Sequence, residues 1–271
     1  MDLGAADLER YARQLILPEI RGRGQKRLKA ASVLVVGAGG LGCPAAFYLA
    51  AAGVGRIGIA DDDRVQVSNL HRQILYTTAD AGLPKAEAAR ARLLALNPGL
   101  MIEMHAVRFA ADNARELSAR YDFIVDGADN FATKFLINDA CYFTGKPFSH
   151  AGAVGLSGQT MTVDPGRSPC LRCLFLGPPE EGVAPSCAEA GILGPVVGLI
   201  GAVQALEALK VLAGFGEPLL GRLFTFDAVT MKTRLVRVPR NPECPLCGAR
   251  PTITRIAAST APACRDGAAA P

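Results

Sequence analysis

Ser32-Val-Leu-Val-Val-Gly37-Ala-Gly-Gly-Leu-Gly42 decides the fold of this chain. The apolar run predicts a buried strand, and the glycines after it predict a tight turn that opens a helix. Residues 44–52 continue as that helix, Gly53 ends it, and residues 56–60 form a second strand. This βαβ unit predicts an α/β protein with a Rossmann-like, mostly parallel sheet.

The rest of the chain extends this sheet and then changes character. Beyond Gly145 the strands are punctuated by glycine and no longer alternate with helices, which predicts an antiparallel C-terminal extension. Glycine-dense residues 152–158 favour a flexible turn, or alternatively room for a thin peptide tail. The predicted elements are helices at 85–96, 132–143 and 192–213, and strands at 101–107, 121–126, 159–163 and 223–238, the last split by a turn near Asp227.

Composition limits the classes of protein that this chain can be. Of its 271 residues, 50% are hydrophobic and 20% are charged, so we predict one domain over residues 1–256 and a disordered, Ala/Pro/Ser-rich tail over residues 257–271. The net charge of +4 is modest, and there is no Lys/Arg run beyond residues 21–27, so the charge supports an acidic partner weakly and a nucleic-acid partner poorly. Glu9, Arg10 and Arg13 interrupt any signal peptide, and glycine and proline break the longest apolar segment. We therefore predict a cytoplasmic protein without a membrane partner.

The glycine loop predicts nucleotide binding. Gly37 would allow the tight turn, Gly39 would let the backbone approach a phosphate, and Gly42 would permit close packing of helix on strand. Asp61, at the end of the second strand, stands where an acid hydrogen-bonds ribose hydroxyls. That role suits NAD and ATP equally, so these residues leave an NAD-dependent oxidoreductase open as the alternative function.

Other polar residues favour ATP. Asn69, Arg72, Lys85 and Asp129 fall in segments that should meet at the carboxyl edge of the sheet, and they form a set suited to phosphates and Mg²⁺. Hydride transfer has no use for such a set. Each residue also has an ordinary structural explanation, with the two cations on the surface, Asn69 in a turn and Asp129 as a helix N-cap. A catalytically silent scaffold would lack the phosphate cations.

Five motifs together resemble the MoeB/ThiF/HesA family, the bacterial relatives of ubiquitin-activating enzymes. The resemblance covers residues 8–250, with the motifs in the same order. It implies ATP-dependent adenylation of the C-terminal glycine carboxylate of a ubiquitin-like sulfur-carrier protein that ends in Gly-Gly, with pyrophosphate released. The motifs are Arg10-Tyr-Ala-Arg13-Gln14, the Gly37–Gly42 loop, Ser68-Asn-Leu-His-Arg72-Gln73, Gly82-Leu-Pro-Lys85 and Asp126-Gly-Ala-Asp129-Asn130.

The resemblance also implies roles for individual residues. Arg72, Lys85 and Asp129 would be catalytic, Asp129 would hold Mg²⁺, and Arg13 would reach the triphosphate of the neighbouring subunit, which implies a homodimer. Asp61 would hold the ribose, with Asp63 beside it. The remaining nucleotide-binding positions are Gly37, Gly39, Gly40, Gly42, Ser68, Asn69, Gln73 and Asn130.

Cysteines predict a structural zinc site. Cys170-Leu-Arg-Cys173 and Cys244-Pro-Leu-Cys247 are two C-x-x-C pairs, which supply the four thiolates of a closed tetrahedral Zn²⁺ site. Redox pairs or two unrelated loops are the alternative, because the pairs are far apart in sequence. The family pattern matches zinc.

Cys187 precedes the core helix in a polar loop, where a thiolate could attack an acyl adenylate. The family that this chain resembles has a cysteine at this position, which is catalytic in some members and dispensable in others. A catalytic nucleophile and a dispensable thiol therefore stay equal alternatives for Cys187. No second catalytic domain is evident in the sequence, which predicts a separate sulfur donor. The choice of carrier, and of a molybdopterin, thiamine or other sulfur-requiring pathway, stays open.

Overall fold

A computed structural model describes residues 2–178 and 190–257 of the chain. These residues form an eight-stranded sheet in the order β3-β2-β1-β4-β5-β6-β7-β8. The strands are β1 (Ser32–Val36), β2 (Arg56–Ala60), β3 (Met101–His105), β4 (Phe123–Asp126), β5 (Phe148–Val154), β6 (Ser157–Val163), β7 (Arg222–Asp227) and β8 (Lys232–Arg237).

The first five strands are parallel, as the glycine-loop stretch predicts. β1 lies at the centre and pairs with β2 on one side and β4 on the other, with Val36 opposite both Ala60 and Asp126. All five residues of β1 are buried, because helices cover both faces of a parallel sheet and leave it no polar side. The carboxyl ends of β1, β2 and β4 therefore meet at one edge.

The last strands form the antiparallel extension that the sequence predicts. β5 pairs with β6, β6 with β7 and β7 with β8, all antiparallel. The expected flexible turn over residues 152–158 is wrong in its extent, because Gly152 pairs with Gln159 inside the β5–β6 ladder. The turn itself is confined to Gly155 and Leu156, and Gly155 has a φ of 58°. The sequence did not predict β5, because a buried serine and a buried histidine interrupt its apolar residues.

Helices pack on both faces of the sheet. The predicted helices at 44–52, 85–96 and 132–143 are present within two residues of their expected ends, and the first ends at Gly53 with a φ of 84°. The helices are α1 (Ala5–Arg10), α2 (Ala12–Leu15), α3 (Arg21–Ala30), α4 (Gly42–Ala52), α5 (Lys85–Leu96), α6 (Ala114–Ala119), α7 (Phe131–Thr144), α8 (Leu171–Leu174) and α9 (Gly194–Ala213).

The long apolar helix α9 packs inside the fold. It lies against α4 and β5, and Val197 and Ile200 join a buried cluster with Leu41 and Phe226. By length and composition alone α9 could cross a membrane, but half of its most apolar window is buried within the protein, as expected of a core helix. The predicted single domain stays a prediction, and residues 258–271 of the predicted tail lie outside the described residues.

Candidate nucleotide-binding site

The glycine loop connects β1 to α4 with almost no space for side chains inside it. Gly37 has a φ of 89°, and a Cβ there would lie 2.7 Å from the carbonyl oxygen of Gly127. A Cβ on Gly42 would collide with the carbonyl oxygen of Gly37. These two positions therefore need glycine for the turn and for close packing. At Gly39, in contrast, the nearest atom to such a Cβ is the Gln73 amide nitrogen, 3.8 Å away.

Asp61 closes the loop from β2. Its two carboxylate oxygens accept hydrogen bonds from the backbone nitrogens of Ala38 at 2.7 Å and Asp63 at 2.9 Å. Burial raises the pKa of Asp61, and the nearby Lys85 charge opposes that rise. The carboxylate is thus held at the edge of the loop, and its remaining lone pairs can accept from ribose hydroxyls.

Lys85 and Asp63 are paired with each other. Lys85 Nζ lies 2.7 Å from Asp63 Oδ2, and the lysine side chain is 6% exposed while the aspartate is 64% exposed. The Lys85 backbone nitrogen also donates to the Asp63 carbonyl oxygen at 2.9 Å. Lys85 is therefore not the surface cation of the ordinary explanation, and a phosphate would compete with a solvent-exposed carboxylate for its ammonium.

Arg72 lies over the glycine loop. A Cβ on Gly40 would be 3.6 Å from Arg72 Cδ. The guanidinium donates to Asn69 Oδ1 at 2.9 Å and to the Ser68 carbonyl oxygen at 3.3 Å, and it contacts His71 Nε2 at 2.8 Å. The predicted phosphate-binding motif is thus folded into one short turn beside the loop, with the arginine oriented by its own neighbours.

Gln73 is buried next to Gly39. Its side chain is 4% exposed, and its Oε1 finds no hydrogen-bond partner in the described part of the chain. Most buried polar atoms in proteins are paired. The unpaired Oε1 beside the loop is therefore available to a hydrogen-bond donor on a bound ligand.

Asp129 and Asn130 follow β4 on the same edge. Asn130 Oδ1 accepts from the Thr133 backbone nitrogen at 2.9 Å and is the N-cap of α7, so the N-cap explanation of Asp129 is wrong. Asp129 is exposed, and among the described residues its carboxylate accepts only a long 3.4 Å hydrogen bond from Asn130 Nδ2. An exposed carboxylate beside an amide oxygen is a donor set that suits Mg²⁺.

Two predicted residues are not placed against this site. Arg13 lies exposed on α2 and makes no hydrogen bond or ion pair within residues 2–178 and 190–257. Exposed Ile16 and Leu17 follow it. Cys187 lies outside the described residues, so its predicted role stays a prediction. Cys43 and Cys141 are buried, as a free small apolar residue would be.

The sequence did not indicate a buried charged cluster behind Asp129. Asp126 Oδ2 lies 2.8 Å from His150 Nδ1, and Lys134 Nζ lies 3.2 Å from Asp126 Oδ1. Burial raises the pKa of Asp126, but the Lys134 charge and the His150 hydrogen bond outweigh it and leave the pKa below its usual value. Burial lowers the pKa of His150 against the opposing effect of Asp126. The only sequence signal was an aspartate ending an apolar strand.

The four cysteines of the two C-x-x-C pairs meet in space. Their sulfur atoms all lie within 4.8 Å of one another, with Cys170–Cys244 at 3.6 Å and Cys173–Cys247 at 3.3 Å. A tetrahedral zinc ion with bonds of about 2.3 Å separates its sulfurs by about 3.8 Å. The thiols are free rather than disulfide-bonded. The cluster could hold a metal, and two unrelated loops are excluded.

The cysteine cluster is anchored on α7 by its neighbours in sequence. Arg172 forms a bidentate pair with Asp139, at 2.7 Å and 2.8 Å. The Leu171 backbone nitrogen donates to Asn138 Oδ1 at 2.9 Å. The first C-x-x-C turn is therefore fixed by protein contacts as well as by any metal.

Comparison with known proteins agrees with this geometry. Residues 11–246 match the ThiF family. The chain belongs to that family. A sulfur carrier protein adenylyltransferase of Thermus thermophilus is 51% identical over 251 residues, which cover 91% of this chain and 93% of that protein. The adenylyltransferase and sulfurtransferase MOCS3 of Drosophila yakuba is 46% identical over 251 residues, covering 92% of this chain but only 55% of that protein.

Solved structures share the fold of this ThiF-family chain. The crystal structure of E. coli MccB with ATP has a TM-score of 0.78 and 24% identity, covering 91% of this chain and 76% of that chain. A structure of MccB with MccA-N7isoASN has a TM-score of 0.80 at the same identity, covering 88% and 74% of the two chains. At this identity the likeness shows the fold alone. None of these relatives supports the alternative of an NAD-dependent oxidoreductase.

Proposed function

We propose that this ThiF-family chain adenylates the C-terminal glycine carboxylate of a ubiquitin-like sulfur-carrier protein that ends in Gly-Gly. The observation that carries the proposal is the packing of Arg72 over Gly40 of the glycine loop, with Lys85 and Asp61 at the same sheet edge. The relative from Thermus thermophilus, named for this activity, matches over 91% of the chain. The product would be an acyl adenylate, ready for conversion to a thiocarboxylate.

Binding of ATP would use groups that the chain already orients. The backbone at Gly37, Gly39 and Gly42 and the N-terminus of α4 suit the phosphates, while Asp61 suits the ribose. Gln73 Oε1, buried and without a partner among the described residues, would accept a further hydrogen bond from a hydroxyl of the nucleotide. Lys85 would transfer from the exposed Asp63 carboxylate to a phosphate, which offers more negative charge.

The reaction needs no strong base, because the attacking carboxylate is already ionised at neutral pH. A carboxylate oxygen forms a bond to the α-phosphorus of ATP, the bond from that phosphorus to the bridging oxygen breaks, and pyrophosphate leaves with the electron pair. Two anions must approach each other, so Arg72 and Lys85 offset the repulsion and stabilise the leaving group. Asp129, with Asn130, would hold Mg²⁺, which neutralises phosphate charge when bound.

The cysteine cluster would hold a structural zinc ion through Cys170, Cys173, Cys244 and Cys247. Four thiolates close the coordination sphere and leave no position for a reactive water. Zinc would tie the segment after β8 to α8, whose N-cap is Cys170. Its role would be stability and not chemistry.

A homodimer completes the proposal. Arg13 is exposed without a partner in the described chain and is followed by exposed Ile16, 70% accessible, and Leu17, 45% accessible. Exposed apolar side chains shortly after an unpaired arginine suit a contact with a second subunit, whose triphosphate Arg13 would reach. We further propose a cytoplasmic location and a separate sulfur donor.

For Cys187, a catalytic nucleophile and a dispensable thiol are the two alternatives. Full sulfur transfer to the carrier by the Cys187→Ala variant would exclude the nucleophile.

ATP–pyrophosphate exchange with candidate carriers tests the function and the partner together. Exchange should require a carrier that ends in Gly-Gly and should disappear with the same carrier shortened by those two residues. The Asp129→Asn variant should bind the carrier without exchanging pyrophosphate. A purified protein that ignores ATP with every such carrier, or that takes up a nicotinamide cofactor instead, would contradict the proposal.

A further inference from the structure

The turn that carries Asp129 depends on buried charges behind it. In the part of the chain that the structure describes, Asp129 has only one long side-chain contact, so its carboxylate is placed by the backbone on either side. On one side Asn130 caps α7. On the other side Asp126 Oδ1 accepts from the Ala128 backbone nitrogen at 3.1 Å, which fixes the turn immediately before Asp129.

Lys134 joins that turn to the β5–β6 hairpin. Its ammonium contacts Asp126 Oδ1 at 3.2 Å and donates to the Ala151 carbonyl oxygen at 2.6 Å. Lys134 is 7% exposed and Asp126 is fully buried. A buried ion pair gives little stability beyond that of apolar packing. The ammonium instead fixes the distance between the turn and β5.

A second buried contact holds the same place. Gln204 Nε2, on α9, donates to the Asp126 carbonyl oxygen at 2.9 Å and to the Ser149 carbonyl oxygen at 3.0 Å. The Gln204 side chain thus bridges the backbone of β4 to the backbone of β5. His150 of β5 also contacts Asp126 Oδ2, at 2.8 Å. The side-chain contact from α7 to Asp126 is made by Lys134.

We propose that Lys134 is a positioning residue for adenylation, whose ammonium, shared by Asp126 and the Ala151 carbonyl, holds the Asp126–Asp129 turn so that Asp129 can bind Mg²⁺. The inference rests on the proposed function. Outer groups that orient a metal ligand affect metal affinity without touching the metal. Lys134 acts here on the turn and on β5, and never on ATP itself.

The test is the Mg²⁺ dependence of Lys134→Met. The concentration of Mg²⁺ that gives half-maximal ATP–pyrophosphate exchange should rise about tenfold or more, the usual effect of losing such a group. Calorimetric titration of ATP at several Mg²⁺ concentrations should show the same shift without any carrier. In an Asp129→Asn background, which exchanges no pyrophosphate, Lys134→Met should add no further calorimetric shift, because the ligand that it positions is already gone.

A double variant separates positioning from folding. Lys134→Met alone leaves a buried carboxylate without its cation, which can prevent folding. Lys134→Met with Asp126→Asn removes that charge, so the melting temperature should recover towards the wild-type value while the Mg²⁺ shift remains. Recovery of both together would overturn the proposal.

Lys210→Met is the matched control. Lys210 Nζ lies 2.7 Å from Glu207 Oε1, and Glu207 is 1% exposed, so this variant also takes a lysine from a buried carboxylate. Its melting temperature should fall with Mg²⁺ dependence unchanged, and an equal Mg²⁺ shift would overturn the proposal. If the wild type exchanges no pyrophosphate, adenylation fails, and the calorimetric arm alone decides for or against Lys134.

Discussion

Replacement of Lys85 by methionine separates the role of its charge in catalysis from its contribution to stability. The lysine stem is buried, and methionine keeps an unbranched side chain of similar length there. The paired Asp63 is 64% exposed, so solvent screens the ion pair and its loss costs at most about 1 kcal/mol of unfolding free energy. In a chain of this size that lowers the melting temperature by about 2–4 °C.

The catalytic cost should be larger. Loss of one preorganised donor to a developing charge removes about 3 kcal/mol of transition-state stabilisation, which is about 150-fold in kcat/KM. Arg72→Ala should lose a similar factor by the same reasoning. ATP–pyrophosphate exchange with a saturating carrier measures both, and circular dichroism melting reports the fold.

The control is Lys210→Met, which removes a lysine from an ion pair away from the glycine loop and should exchange pyrophosphate at the wild-type rate. Wild-type exchange by a folded Lys85→Met variant would refute the assigned role. A loss of exchange matched by an equally large loss of folded protein would refute the reasoning from exposure.

Zinc should be measured at about one ion per chain, and Cys244→Ser should lose it and melt earlier; a stable, zinc-free wild type would contradict the site. Gly42→Ala should not fold, whereas Gly39→Ala should fold and bind ATP weakly; equal stability would contradict the loop geometry. Because the pKa of His150 is lowered from 6.5, unfolding free energy should decrease as pH falls below that value, by up to about 1.4 kcal/mol per pH unit. His150→Gln should remove that slope in urea titrations, and an unchanged slope would contradict it.

Elements with one strong local signal were predictable from sequence. β1 is an unbroken apolar run, α4 ends at a glycine, and α5 ends before Asn97-Pro98. β5 gave no such signal, because Ser149 and His150 are buried inside it. Each is satisfied by a distant partner, Gln204 or Asp126, and no local pattern shows such a pairing.

The features of the candidate site likewise differ in whether local sequence patterns indicate them. Motif spacing indicated the glycine loop, Asp61, Arg72 and Lys85, because each stands close in sequence to the turn that orients it. Spacing did not indicate that Lys85 is paired with Asp63, 22 residues away. It also left the ordinary explanation of Asp129 open, because Asp and Asn are both common N-caps. Only the hydrogen bond of Asn130 to Thr133 resolves that choice.

Lys134 shows why the support behind a site is harder to predict than the site. A lysine in a helix is usually exposed, yet residues 134–141 of α7 are all buried, because that helix is enclosed by other elements at this point. A buried lysine at that position of α7 needs a carboxylate from another element. Asp126 can provide that carboxylate only if β4 ends beside the first turns of α7. The pairing therefore depends on the complete fold. For this reason variants of Lys134 should affect Mg²⁺ dependence although the residue belongs to none of the motifs that identify the family.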